Sequence, residues 1–278
     1  AATITPSGST AICTGGSVTL NATTGSGYGY SWRRNGTVIS GATSSSYTAA
    51  LAGSYTVQVT ANGCSVLSSA VAVTVNSLPS ASITASGSTT FCSGGAVTLN
   101  ANTGTGLSYV WRRNGSTISG ATASSYNATQ AGAYTVVVSS NGCAATSSGI
   151  NVVVNQAPTA TITPASSTTI CTGGSVVLNA STGSGYTYVW RRNGSVISGA
   201  TSSSYSASQT GSYTVQTTAA GCSATSTAIS ISAGSAPSAT VTAGGATTFC
   251  GGGSVLLSAN TGSGLSYQWR RNGSSIAG

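Results

Sequence analysis

Tyr30-Ser31-Trp32-Arg33-Arg34-Asn35-Gly36 decides how this chain is read, because it comes back three times almost unchanged. The copies are Tyr109-Val110-Trp111-Arg112-Arg113-Asn114-Gly115, Tyr188-Val189-Trp190-Arg191-Arg192-Asn193-Gly194 and Tyr267-Gln268-Trp269-Arg270-Arg271-Asn272-Gly273. The tryptophans recur at a constant spacing, since 111 − 32, 190 − 111 and 269 − 190 all equal 79. A fixed period of that length means one folded unit repeated in tandem. Within the stretch, alternation places Tyr30 and Trp32 on one face of a strand, and Asn35-Gly36 supplies the tight turn of a hairpin. Each unit therefore carries one inward tryptophan and, next to it, two arginines.

Working outward, the same alternation appears in Val18-Thr-Leu20-Asn-Ala22, where Val18, Leu20 and Ala22 face inward, and in Tyr55-Thr-Val57-Gln-Val59. Asn62-Gly63 marks a second hairpin turn, and Val71-Ala-Val73-Thr-Val75 closes the unit. Ala2–Thr5 reads as a first strand, with Thr10–Cys13 as its continuation. Seven or eight short strands separated by turn signals predict an all-β fold, one β-sandwich per period. A helical reading fails for want of i, i+3, i+4 spacing and through an excess of Gly, Thr and Val. Prolines Pro79, Pro158 and Pro237 mark the joints, giving repeats at 1–78, 79–157 and 158–236 and the first half of a fourth at 237–278. Half a sandwich would leave its apolar face open, so the chain is expected to continue past Gly278.

Composition excludes more than it suggests. The 278 residues hold eight arginines, all in the four pairs, and no Asp, Glu, His, Lys or Met, for a formal net charge of +8. Acid–base catalysis, zinc ligation by histidine and Schiff-base chemistry are thereby removed. An abundant but unactivated serine or threonine hydroxyl is inert. No enzyme, no metal site and no cofactor are expected, and carboxylate-held calcium is excluded with the carboxylates. No apolar run approaches the length of a membrane span, and no part of this stretch reads as a signal peptide, as expected for a window of a longer chain.

Gly16-Ser-Val18-Thr-Leu20, Trp32-Arg-Arg-Asn35-Gly36 and Tyr47, followed by Gly53-Ser-Tyr55-Thr-Val57, resemble an immunoglobulin-like domain of the intermediate type. The resemblance implies a core of Trp32, Trp111 and Trp190, with Tyr55, Tyr134 and Tyr213 at the family's tyrosine-corner position. It also departs from the family, since Ala22 and Val57 stand where the cross-core cysteines would be. The wording Gly-Ala-Thr…Tyr…Gly-Ser-Tyr-Thr-Val…Asn-Gly-Cys is similar to tandem repeats in giant surface proteins of gliding, type IX-secreting bacteria. That likeness implies an extracellular, cell-surface location.

Seven cysteines remain: Cys13, Cys64, Cys92, Cys143, Cys171, Cys222 and Cys250. Disulfides are the expected state in a Ser/Thr-rich chain that looks exported. Bridges within each repeat would join Cys13–Cys64, Cys92–Cys143 and Cys171–Cys222. On the immunoglobulin-like mapping those partners lie at opposite ends of a sandwich, roughly 25 Å apart, whereas a disulfide needs Cα atoms within about 7 Å. The mapping favours bridges between successive repeats, Cys13–Cys143 and Cys92–Cys222, and both schemes stay open at this point.

The arginine pairs Arg33/Arg34, Arg112/Arg113, Arg191/Arg192 and Arg270/Arg271 admit two readings. One is a ladder of contacts to an acidic polysaccharide or surface glycan, one rung per domain. The other is a solvated sheet face whose arginine stems lie over tyrosines such as Tyr28 and Tyr30. Two charges per unit is sparse for nucleic acid, which is not an expected partner. The favoured function is the structural shaft of an extracellular filament or long adhesin, with other copies of itself as partners and disulfides between its domains. Glycan or polyanion binding through the arginine pairs is the alternative.

Overall fold

A computed structural model describes residues 1–277. Its first repeat is built from nine strands: β1 (Ile4–Pro6), β2 (Ala11–Cys13), β3 (Val18–Ala22), β4 (Gly29–Arg34), β5 (Thr37–Val38), β6 (Ser46–Ala49), β7 (Gly53–Ala61), β8 (Cys64–Leu67) and β9 (Val71–Asn76). One sheet runs β1-β3-β6 and the other β2-β9-β7-β4-β5, with β8 beside β7. The β4–β5 hairpin turns on Asn35 and Gly36, whose φ angles of 49° and 82° are the left-handed values that a type I′ turn requires.

The segment 2–13 is not one continuing strand. β1 pairs antiparallel with β3 in the first sheet, whereas β2 crosses over and pairs parallel with β9 in the second. The crossover occurs after Pro6, which has no N–H to continue a ladder. The closing strand is likewise broken in two. β8 pairs the far half of β7 and β9 its near half, leaving Ser68 between them. Ser68 is buried, and its backbone N–H donates to the Val57 carbonyl at 3.0 Å while its Oγ accepts from the Val57 N–H at 3.0 Å. One serine thus satisfies both polar groups that the break would have orphaned inside the core. Ser147 and Ser226 repeat the arrangement on Val136 and Val215.

Between the sheets lie Val18, Leu20, Ala22, Trp32, Ala49, Tyr55, Val57 and Val73. Trp32, Leu20 and Val57 have no exposure at all, and register sets Trp32 directly against Val57. The indole is not left unpaired, since its Nε1–H donates to the Ser44 carbonyl at 2.9 Å. Tyr47 stands between Trp32 and Tyr55, with ring centroids 5.8 and 5.7 Å away. The Tyr55 hydroxyl donates back to the Leu51 carbonyl at 2.8 Å, closing the corner where β6 gives way to β7. Ala22 and Val57 are both buried, so packing fills the place of the missing cross-core disulfide.

The chain divides into two compact units, Ala1–Gln156 and Ala157–Gly278. The first holds two sandwiches, each with its own core, the second centred on Leu99, Trp111, Tyr134 and Val136. The second unit holds a third sandwich, cored by Leu178, Trp190, Tyr213 and Val215. Beyond it Val241–Ala243 pairs with Leu257–Ala259, and Arg270–Arg271 with Ser274–Ser275. There Trp269 is 37% exposed and Leu256 74% exposed. Sheet partners equivalent to β6, β7 and β9 are what bury Trp32, and residues 237–277 contain no counterpart of them.

Candidate functional site: the stapled joint and the two arginines

Cys13 ends β2 and Asn76 ends β9, and the parallel ladder makes them direct partners. Both therefore stand at the end of repeat 1 from which the chain leaves. In repeat 2 the Asn141-Gly142 turn, with φ of 49° and 78°, delivers Cys143 at the head of its strand. Cys13 and Cys143 are bonded, with Cα atoms 5.6 Å apart. Alongside, the Asn76 side-chain amide donates to the Asn141 carbonyl at 2.9 Å. The Asn76 carbonyl is held from its own domain by the Thr14 N–H at 2.9 Å and hydroxyl at 3.2 Å. Cys143 is 1% exposed, whereas Cys64, in the same position of repeat 1, is an exposed free thiol.

The bridges considered within repeats do not form. Cys64 follows Ala61 at one end of β7, while β9 and β2 run out beyond Gly53 at the other. The nine residues of β7 separate those ends by roughly 30 Å. The same geometry disposes of Cys92–Cys143, where Cys143 is already bound to Cys13, and of Cys171–Cys222, where Cys171 is an exposed free thiol. Cys92 and Cys222 are also disulfide-bonded, and Cys250 is free and exposed.

The two arginines of a pair do not act together. Strand alternation sends them to opposite faces of the sheet. Arg33 projects outward, where its Nη2 donates to Gln58 Oε1 at 2.9 Å, and Arg191 reaches Gln216 in the same way at 3.5 Å. In repeat 2 the equivalent position is Val137, and Arg112 Nε is buried without a hydrogen-bond partner, as is Arg33 Nε. Tyr30 lies on the other face, half-buried against the core with its hydroxyl on the Thr23 carbonyl, so the Arg33 stem does not cover it.

Arg34 sits in register with Tyr55 on the Trp32 side, at the rim of the core. Its stem lies across Gly53, where φ is 156° and an added Cβ would meet Arg34 Cγ at 2.8 Å and Asn35 Oδ1 at 3.0 Å. Asn35 Oδ1 in turn accepts the Ser54 N–H at 2.8 Å. Arg34, Asn35, Thr37, Ile39, Tyr47 and Leu51 surround an open hollow of about 430 Å³. Hollows of about 340 and 360 Å³ recur beside Arg113 and Arg192, with Gln130 and Gln209 in place of Leu51. Burial pushes the Tyr134 hydroxyl above its usual pKa with help from Tyr126, and the Arg113 guanidinium hydrogen-bonded to it offsets part of the rise. Burial raises Tyr213 similarly, with Arg192 opposing.

Neither the bridging serines nor the Asn76 amide was anticipated from sequence. The available signal was periodicity: Ser68, Ser147 and Ser226 keep the tryptophans' spacing in a strand where each could pass for a solvent-facing residue.

No protein-family model matches the chain, and no curated protein does. Among solved structures it is similar to an I-band fragment of titin, at 12% identity and a TM-score of 0.43, covering 81% of this chain and 95% of that one. It is also similar to murine CEACAM1b, at 15% identity and a TM-score of 0.33, covering 56% and 100%. A third likeness is to immunoglobulin domains 1–5 of Sidekick-1, at 20% identity and a TM-score of 0.21, covering 80% and 56%. The two sheets, the tyrosine corner and the tryptophan core are the chain's own evidence, and on that evidence it is a tandem array of immunoglobulin-like β-sandwiches.

Proposed function

We propose that this chain is a load-bearing structural segment, the shaft of an extracellular filament or long surface adhesin. The observation that carries the reading is the disulfide from Cys13 to Cys143, which crosses the Asn76–Pro79 linker and fastens one sandwich to the next. A linker of this length restricts a joint without locking it, and the chain has no carboxylate with which to lock it through calcium. A covalent bridge beside the Asn76–Asn141 hydrogen bond does what those cannot. Disulfide-bonded sandwiches fit an oxidising, extracellular or secreted setting, and no helix among the described residues is long and apolar enough to cross a membrane. The repeat wording supports the bacterial cell surface as that setting, with copies of the same chain as neighbours in the filament.

The test is the rigidity of the joint. Residual dipolar couplings measured separately for residues 1–76 and 80–155 should fit one alignment tensor in the oxidised chain. They should split into two after reduction, with the chemical shifts of both cores unchanged. Two independent tensors in the oxidised chain would overturn the reading, and so would a single tensor that survives reduction.

A further inference from the structure

We propose that the hollow beside the second arginine of each pair is a carboxylate-binding site, one per complete sandwich, that takes the sugar-acid residues of an acidic polysaccharide. The proposal does not depend on the shaft reading, since a stapled joint would remain with every hollow empty.

Charge is the first argument. There is no Asp or Glu in the sequence, so no side chain in it can neutralise Arg34, Arg113 or Arg192. A guanidinium offers a planar fork of donors that matches a carboxylate in a two-point contact. The second argument is that the fork is set in advance. Gly53 lets the Arg34 stem lie flat, and Asn35 pins the neighbouring turn to Ser54, as Asn114 does to Ala133 and Asn193 to Ser212. Such preorganisation lowers the ordering entropy of binding.

The third argument concerns the rest of the ligand. Tyr47 is half-exposed at the hollow while its ring is held between Trp32 and Tyr55. A rigid aromatic edge beside a cation suits a ring with an apolar C–H face and one acid group, which describes a uronic acid. Hollows of about 340 to 430 Å³ fall at the small end of ligand sites and match one or two sugar rings. Gln130 and Gln209 bring an amide to the second and third hollows for sugar hydroxyls, whereas Leu51 leaves the first without one. The first site should therefore be the weakest. Sites that recur along one chain favour a repeating polymer over a single acidic end group, because each further contact is then intramolecular. Nucleic acid is disfavoured, since one cation per repeat cannot match a phosphate charge every ~1.7 Å. The outward arginines take no part, Arg33 and Arg191 being engaged by glutamine.

The probe is a galacturonic acid hexamer titrated into the isotopically labelled full chain at low salt, with maltohexaose as the neutral control. Amide shifts are expected at Asn35, Ser54, Asn114, Ala133, Asn193 and Ser212 with the acid hexamer and not with the neutral one. A triple variant Arg34→Gln/Arg113→Gln/Arg192→Gln should weaken binding by roughly tenfold or more, the loss of a charge-assisted pair. The charge-matched triple Arg33→Gln/Arg112→Gln/Arg191→Gln should change it by less than about twofold, as for a screened surface charge. If the first triple fails to fold, Arg34→Lys/Arg113→Lys/Arg192→Lys keeps stem and charge and should still weaken binding by losing the fork. Equal losses in the outward and inward triples would reduce the effect to diffuse charge attraction and overturn the proposal. Absence of binding by the unaltered chain, or shifts away from the hollows, would do the same. Equal competition by a short acidic peptide would overturn the assignment to a sugar acid.

Discussion

Stretching the chain from its two ends is the most direct trial of the Cys13–Cys143 staple. In a Cys92→Ser/Cys222→Ser background, with the free thiols of Cys64, Cys171 and Cys250 alkylated, one bridge remains. Tension entering at the N-terminus then passes through that bond and bypasses the segment between its cysteines, a sequence separation of 130. Those residues contribute no extension while the bond holds. Once it is reduced they become extendable, adding roughly 430–470 Å of contour length at 3.3–3.6 Å per residue. The same bridge has an equilibrium signature. Because Cys13 lies beside Asn76, unfolding repeat 2 alone must close the loop from Asn76 to Cys143, a sequence separation of 67. The chain-entropy estimate for such a loop is about 4 kcal/mol, which for a domain of this size moves the melting temperature by about 16–32 °C. Optical-trap extension with and without reductant reads the first quantity, and thermal unfolding followed by Trp111 burial reads the second. Equal contour lengths in both conditions would refute the reasoning, whatever the melting temperatures did.

Other perturbations act on one repeat at a time. Trp111→Ala removes a side chain with no exposure and a hydrogen bond to the Ala123 carbonyl, and should cost about 3–5 kcal/mol by denaturant titration. Ser147→Ala should cost about 1–3 kcal/mol, because the buried Val136 N–H loses its acceptor. Ala220 holds a φ of 50° where Asn62 and Asn141 hold the same turn position, so Ala220→Asn should stabilise repeat 3 by about 1 kcal/mol. Tyr134 has its hydroxyl pKa raised by burial. The unfolded chain then loses that proton first, so the tyrosine's contribution is whole below about pH 10 and is lost as pH rises through the higher folded value. Tyr134→Phe should flatten this alkaline decline in stability.

The two strongest local signals in the sequence were also the most reliable. Asn35-Gly36 can make its turn only with both φ angles positive, and the alternation of Tyr30, Trp32 and Arg34 admits only one buried face. Local sterics and burial settle such matters over a few residues, so a one-dimensional reading reaches them. The arginine pair shows where that reading stops. Adjacent letters suggested a doubled cation, yet the pleat turns Arg33 toward Gln58 and Arg34 toward Tyr55. Which neighbours each arginine meets depends on a strand well removed from it in sequence. Ser68 is a similar case, since its place in the core depends on β8 and β9 parting beside Val57. The cysteines depend on tertiary structure most of all. Spacing alone allowed Cys13 to pair with Cys64 or with Cys143, and no local preference distinguishes them. The choice follows from which ends of β2, β7 and β9 fall together, because a disulfide spans a few ångströms and a sandwich is several times longer.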